Sequence, residues 1–273
     1  MSSTLRTAAL MGLLMSVVIF AFWVVGGRGY ATFGLIFGAL MNFGVYWYSD
    51  KIVLSMTRAK EVSSQEAPEL HEIVEQLARK ASIPKPRVYI INDPSLNAFA
   101  TGRSPSHAAI AVHTGLIKAC TKEELQGVLG HELTHIKNRD TIIQTAAAVI
   151  AGTLQYLVYA FMFGGRDREK RENPLALLAL ILTPIAAMLI QMAISRTREY
   201  SADEGGAMLS NPHYLASALR KISNSVKLNP KIDGNPATAH MYIMNPFGGM
   251  DIASLFSTHP PTEERIRRLE RMR

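Results

Sequence analysis

The chain has 273 residues, of which 48% are hydrophobic and only 19% are charged, and its formal net charge is +7. Average soluble domains contain about a quarter charged residues, so this composition argues against an ordinary soluble protein and excludes a disordered or collagen-like chain. The single cysteine, Cys120, excludes an intrachain disulfide framework.

The chain begins with two uncharged runs, residues 7–27 and 29–49. Each reaches the roughly 20 residues that a helix needs to cross a bilayer. A cleaved signal peptide is the alternative for the first run. That run is too long, lacks a small-x-small cleavage site and is followed at once by the second run. We therefore predict that residues 1–49 form a transmembrane hairpin.

Two further uncharged runs, residues 141–165 and 173–195, predict a second transmembrane hairpin over 141–195. Glutamines and alanines in the first of these runs leave an alternative, a helical hairpin packed against the protein. If all four runs cross the membrane, both polar regions of the chain lie on one side. Lysines and arginines flank the runs more often on that side, which favours the cytoplasmic face.

The polar regions, residues 50–140 and 196–273, together hold about 170 residues, enough for one discontinuous α+β domain with its own core. Helical and alternating apolar patterns place its elements. In chain order they are a helix over 67–81, a strand over 87–91, a turn-rich stretch over 95–106, a strand over 108–113, a capping-box helix over 121–140, a helix after Asp203 to about residue 226, and a basic helix over 262–271. We expect the helix over 121–140 to run directly into the third uncharged run, and the fourth run to continue into 195–203.

The capping-box helix contains His131-Glu132-Leu133-Thr134-His135. Spacing of i and i+4 places both imidazoles on one helix face, where they can hold Zn²⁺ at two corners of a tetrahedron. Glu132 then lies beside them to take a proton from an attacking water. The alternative is a helix with two solvated or core histidines.

A third ligand is predicted after the fourth uncharged run, where Glu199 and Asp203 again share one helix face. Glu199 is the candidate ligand, and Asp203 can accept a hydrogen bond from the far nitrogen of a ligating histidine. A solvated acidic face is the alternative. An antiparallel pair of helices would bring the ligands to a similar height, just outside the hydrocarbon.

Four elements together resemble the HtpX family of bacterial membrane zinc metalloproteases, which is related to the CAAX prenyl endopeptidases. They are His131–His135, Glu199-x-x-x-Asp203, Asn97–Gly102 and Ser257–Thr262, and the resemblance runs from about residue 5 to residue 270. It implies a mainly α membrane protein with a small β-sheet: four transmembrane helices and a discontinuous zincin-like α+β catalytic domain.

The same resemblance implies a gluzincin with one Zn²⁺ per chain on His131, His135 and Glu199, and with Glu132 as general base. It also implies a stress-response role at the bacterial inner membrane. There, misfolded or damaged membrane proteins are cut from the cytoplasmic side. Asn97 is expected to contact the substrate backbone by this resemblance alone.

Two further substrate contacts are expected. His259 is a candidate donor to the oxyanion of the tetrahedral intermediate, with a helix-entry histidine near Thr262 as the alternative. Residues 108–112 are small and apolar and are expected to form an edge strand that pairs with an extended substrate, or else an ordinary half-buried strand.

Three other functions compete with a protease that acts at the membrane surface. The first is an inactive membrane adaptor that retains a zinc site. The second is an intramembrane protease, which the charged residues around His131 oppose. The third is nucleic-acid binding, for which the sequence offers only a basic tail. That tail is expected to be a solvated or lipid-facing helix and comprises Arg265, Arg267, Arg268, Arg271 and Arg273. The expected partners are therefore protein substrates and a lipid bilayer, without nucleic acid.

Overall fold

The computed structural model describes residues 3–144, 196–228, 242–243 and 260–272. Most of the second predicted hairpin lies outside these residues. The described helices are α1 (Ser3–Met56), α2 (Pro68–Ala81), α3 (Thr114–Ala119), α4 (Lys122–Lys137), α5 (Arg196–Leu209), α6 (Pro212–Leu228) and α7 (Thr262–Arg271). The strands are β1 (Lys60–Glu61), β2 (Arg87–Ile91), β3 (Ala98–Gly102) and β4 (Ala108–His113).

The chain reverses direction within α1. The side chain of Asn42 lies 3.8 Å from the sulfur of Met15, whereas a straight helix would separate these residues by about 40 Å. Gly27, with φ +68°, adopts the left-handed backbone that such a reversal requires. Within the described part of the chain, Gly27–Tyr48 is the segment that is long and apolar enough to cross a membrane.

The four strands form one mixed sheet in the order β1-β2-β4-β3, in which β2 and β4 are parallel and the other pairs are antiparallel. The expectation that residues 108–112 form an edge strand is wrong, because β4 lies between β2 and β3. Every residue of β4 is buried, as expected for an unbroken apolar run covered on both faces. Among the described strands, the two edges are β1 and β3, and β3 lies within the stretch that the sequence predicted as turn-rich.

The helix predicted over 67–81 is confirmed as α2, whose apolar side packs into the core. The predicted capping box of α4 is also confirmed, with Thr121 and Glu124 each accepting a hydrogen bond from the other's backbone N–H.

Two predicted helix boundaries are wrong. α4 ends at Lys137 instead of running into the third uncharged run, because Arg139 takes a left-handed backbone with φ +60°. The amides of Arg139 and Asp140 then bond back to the carbonyls of Ile136 and His135, which is a Schellman closure. The helix predicted after Asp203 is broken before Pro212, since a residue preceding proline is disfavoured in a helix.

Candidate metal centre

Two buried helices bring the sequence-predicted ligands together. His131 and His135 come from α4 and Glu199 comes from α5, and one ligand atom from each lies within 4.8 Å of the others. The two Nε2 atoms are 3.2 Å apart, and the Glu199 carboxylate oxygens lie 3.5 Å from His135 Nε2 and 3.7 Å from His131 Nε2. Two zinc bonds of about 2.1 Å at a tetrahedral angle separate their ligand atoms by about 3.4 Å. The spacing therefore fits one zinc ion.

The charges around this point also favour a divalent cation. Among the described residues around this point, four carboxylates are buried, those of Glu132, Asp140, Glu199 and Asp203, together with the guanidinium groups of Arg198 and Arg265. When all are ionised, two negative charges remain, and buried charge must be neutralised. Burial opposes a charge on His135, but the hydrogen bond to Asp140 and the charge of Glu199 raise its pKa to about 9. Positive charge is therefore favoured where the ligand atoms meet.

In each of the two histidines, the Nδ1 atom, on the opposite side of the ring from Nε2, lies next to a carboxylate. Nδ1 of His135 donates to Oδ2 of Asp140 at 3.2 Å. Nδ1 of His131 lies 2.9 Å from Oδ1 of Asp203, although its N–H bond is not aligned with that oxygen. When both imidazoles are neutral and carry their proton on Nδ1, the two Nε2 lone pairs face each other, and a shared cation relieves that repulsion.

Asp140 comes from the turn that ends α4, where the Schellman closure brings its side chain back towards His135. The sequence interpretation missed this residue. The sequence feature that could have identified Asp140 is an acidic residue within two helical turns after the second histidine of the motif.

Asp203 is in turn held by α7. Arg265 donates to both of its oxygens, at 2.8 and 2.7 Å, and is 1% exposed. Burial raises the pKa of Asp203, but the charge and hydrogen bonds of Arg265 outweigh it and lower that pKa to about 2. The expectation that Arg265 belongs to a solvated or lipid-facing tail is therefore wrong. Its position four residues before the buried Leu269, on the same helix face, was the available signal.

Glu132 is buried beside the ligands and is held by the edge strand. Its Oε2 accepts a hydrogen bond from the backbone N–H of Ala100 at 2.9 Å. Burial raises the pKa of Glu132. A carboxylate whose proton affinity is increased next to a cation site is suited to accept a proton and to return it.

Asn97 lies immediately before β3 and is 1% exposed. Its Oδ1 accepts a hydrogen bond from the backbone N–H of Ile243 at 3.0 Å. His259 lies outside the described residues, so its predicted contact with the oxyanion stays a prediction.

The fold and site define a class of protein. Two histidines one helical turn apart, a glutamate from a second helix and a buried glutamate beside the first histidine match the ligand set and base expected of a metallopeptidase. Comparison with known proteins agrees. The model of Peptidase family M48 matches residues 64–273.

Curated relatives match almost the whole chain. A Protease HtpX homolog of Pyrococcus furiosus is 53% identical over 98% of this chain and 95% of its own length. A Protease HtpX homolog of Syntrophotalea carbinolica is 52% identical over 99% of each chain. The chain belongs to peptidase family M48 and is a metalloprotease, and the resemblance to HtpX proteases is confirmed.

The fold also has a solved relative, described as the crystal structure of S. mikatae Ste24p. The two share 18% sequence identity with a TM-score of 0.51, and the match covers 96% of this chain and 62% of that one. The protein thus spans less than two thirds of the Ste24p chain, and at this identity the likeness concerns the fold alone.

Proposed function

We propose that this protein is a membrane-anchored zinc endopeptidase that cuts misfolded or damaged membrane proteins at the cytoplasmic face of the inner membrane. The observation that carries the proposal is the convergence of His131, His135 and Glu199 beside the buried carboxylate of Glu132. Two transmembrane hairpins, 1–49 and 141–195, would anchor a catalytic domain composed of residues 50–140 and 196–273.

In this proposal His131, His135 and Glu199 hold one zinc ion. When bound, zinc supplies Lewis acidity, which polarises the scissile carbonyl and makes an attacking water more acidic. Glu132 takes the proton from that water and passes it to the leaving amine. The N–H of Ala100 holds the Glu132 carboxylate in place through this exchange.

The substrate would lie along β3 in extended form. β3 is the sheet edge on the side of Glu132, and the N–H of Ala100 points away from β4 towards that carboxylate. A peptide backbone that pairs with such an edge is recognised mainly through its main chain, which suits varied unfolded substrates. Asn97 and His259 are proposed to contribute a substrate contact and an oxyanion donor respectively.

The exposed aromatic side chains of α1 support the anchor. They include Tyr30, Phe33, Phe43 and Trp47, each more than 40% exposed. Contiguous apolar surface of this kind is unfavourable in water and suits lipid. A membrane anchor beside the catalytic domain brings the protease close to membrane-protein substrates.

The activity is tested with purified protein in detergent, assayed for zinc content and for cleavage of casein and of an unfolded membrane protein. We expect one zinc per chain, and cleavage that a chelator abolishes. Glu132→Gln should keep the zinc and lose cleavage by about 10²–10⁴-fold, the usual contribution of a general base. Glu123→Gln, an exposed change on the same helix, is the control.

Two results would reject this assignment. Wild-type protein that holds zinc without cleaving either substrate would favour the adaptor. Full cleavage by zinc-loaded Glu132→Gln protein would remove Glu132 from the reaction.

The orientation is tested by labelling with a membrane-impermeant maleimide after Cys120 has been replaced by serine. A cysteine at Glu123 should react in inverted inner-membrane vesicles, and one at Arg28 should react in right-side-out vesicles. The reverse pattern would place the catalytic domain outside the cytoplasm.

A further inference from the structure

The C-terminal helix α7 places a fully buried arginine next to the metal centre. The Arg265 side chain is only 1% exposed. A buried guanidinium is unfavourable unless its donors and its charge are both satisfied. Arg265 achieves this through the Asp203 carboxylate, the carbonyl oxygen of Ile243 at 3.3 Å and the Glu199 carboxylate at 3.9 Å.

Arg265 and His131 meet at the same oxygen of Asp203. Nη2 of Arg265 lies 2.7 Å from Oδ1 of Asp203, and Nδ1 of His131 lies 2.9 Å from that atom. Nε of Arg265 binds the other oxygen at 2.8 Å. Because both oxygens are held by one planar fork, the plane of the carboxylate is fixed relative to the imidazole.

The helix that carries Arg265 is docked firmly on the rest of the domain. Leu269 and Thr262 are buried on the same face of α7 as Arg265. The guanidinium of Arg268 stacks 3.7 Å from the ring centroid of Tyr200, the neighbour of Glu199 on α5. The position of Arg265 is thus determined by packing of α7 and not by a flexible side chain reaching inwards.

We propose that Arg265 is a positioning residue of the metal site, which acts through Asp203 to orient His131 and thereby sets the affinity for the metal. The docked C-terminal helix then completes the centre, although it contributes no ligand. This inference rests on the proposed function in one respect, that His131 is a zinc ligand.

The test compares Arg265→Gln and Arg265→Lys with the wild-type protein, in full-length chains purified in detergent. Zinc affinity is measured by competition with a chromophoric chelator, and ligand geometry by the visible absorption spectrum of the Co²⁺-substituted protein. Replacing a group behind a metal ligand usually weakens metal binding 10–100-fold, so we expect a loss of about tenfold or more for both variants. Lysine keeps the positive charge but lacks the planar pair of N–H donors that binds both carboxylate oxygens, so Arg265→Lys should not restore the zinc affinity.

Arg267→Gln is the matched control. Arg267 lies on the same helix, its side chain is 63% exposed, and its ion-pair partner is Glu264 at 3.0 Å. It should keep wild-type zinc affinity and the wild-type Co²⁺ spectrum. A general effect of replacing an arginine of α7 with glutamine would appear in this control as well, whereas an effect through Asp203 would not.

A double-mutant cycle separates an effect through Asp203 from a direct one. Asp203→Asn should weaken zinc binding, and adding Arg265→Gln to it should cause little further loss. Additive losses would overturn the proposal, as would wild-type affinity and spectrum in either Arg265 variant. Failure of both Arg265 variants to fold, judged by circular dichroism, would assign Arg265 to folding and would also reject it. If the wild-type protein itself binds no zinc, the proposed function fails instead.

Discussion

The backbone of Gly206 on α5 lies directly against the backbone of His131 on α4. A Cβ added to Gly206 would stand 2.7 Å from the amide nitrogen of His131 and 2.9 Å from its Cα, closer than such atoms approach. Glu199, Asp203 and Gly206 lie on one face of α5, at spacings of four and three residues. The missing side chain therefore lets this face approach His131 so closely that a Glu199 carboxylate oxygen lies 3.7 Å from Nε2 of His131.

Gly206→Ala should weaken the metal site as well as the fold. The added methyl meets backbone and not a flexible side chain, so α4 and α5 must separate, at a cost of about 1–3 kcal/mol. We expect a lower melting temperature and reduced zinc affinity in the chelator competition. Gly44→Ala, where an added Cβ meets nothing within 4 Å, is the control. Equal zinc affinity in Gly206→Ala and wild type would show that the close approach is not required.

Glu199→Gln should abolish stoichiometric zinc binding. The amide keeps the shape of the side chain but removes the negative charge and the anionic donor, and His131 and His135 alone hold zinc weakly. Zinc content after dialysis measures the loss. Glu204→Gln, an exposed change on the same helix, should retain one zinc per chain. Retained zinc in Glu199→Gln would mean that another side chain supplies the third ligand.

Asp140→Asn should weaken zinc binding about 10–100-fold while leaving the protein folded. The variant removes the anionic acceptor behind Nδ1 of His135 and so lowers the basicity of the ligand nitrogen. Asp50→Asn is a control, since Asp50 is also buried but pairs with Arg87 at 3.0 Å, outside the centre. Unchanged affinity in Asp140→Asn would leave this contact without a role in metal binding.

Glu124→Gln should destabilise the protein in a pH-dependent way. Burial raises the pKa of Glu124, but hydrogen bonds from Lys221, the Thr121 amide and the Ser217 hydroxyl outweigh it and lower that pKa below 4.5. A lowered pKa in the folded state stabilises the protein above the unfolded value, and this contribution is lost as pH falls through the folded value.

At pH 7 we therefore expect Glu124→Gln to cost about 1.5–3 kcal/mol, the range for a hydrogen bond to a charged group. The difference in melting temperature from wild type should shrink below about pH 4.5, the ordinary value for glutamate. Both proteins are measured in the same buffers, so that loss of metal at low pH affects them equally. A constant difference across this range would contradict the ionic role of Glu124.

Local patterns predicted local structure well. The apolar repeat of residues 67–81 and the Thr121–Glu124 capping box each depend on neighbours within one or two turns, and both are confirmed. The order of strands was not predictable in this way. The strand Ala108–His113 is apolar up to its final histidine, and such a pattern is compatible with an edge or an interior position, because only the neighbouring strands decide which it takes.

The sequence by itself determined the chemistry of this protein: a His-Glu-x-x-His helix, an acidic pair at helical spacing and the family to which they belong. These features can be recognised from the sequence alone, because two residues four positions apart lie on the same face of any α-helix. Only the tertiary structure decided which groups contact the Nδ1 side of the two candidate histidine ligands. Asp140 reaches His135 through a left-handed turn, and Arg265 reaches Asp203 across 62 residues of chain. Such contacts arise from packing of distant segments, which no local spacing encodes.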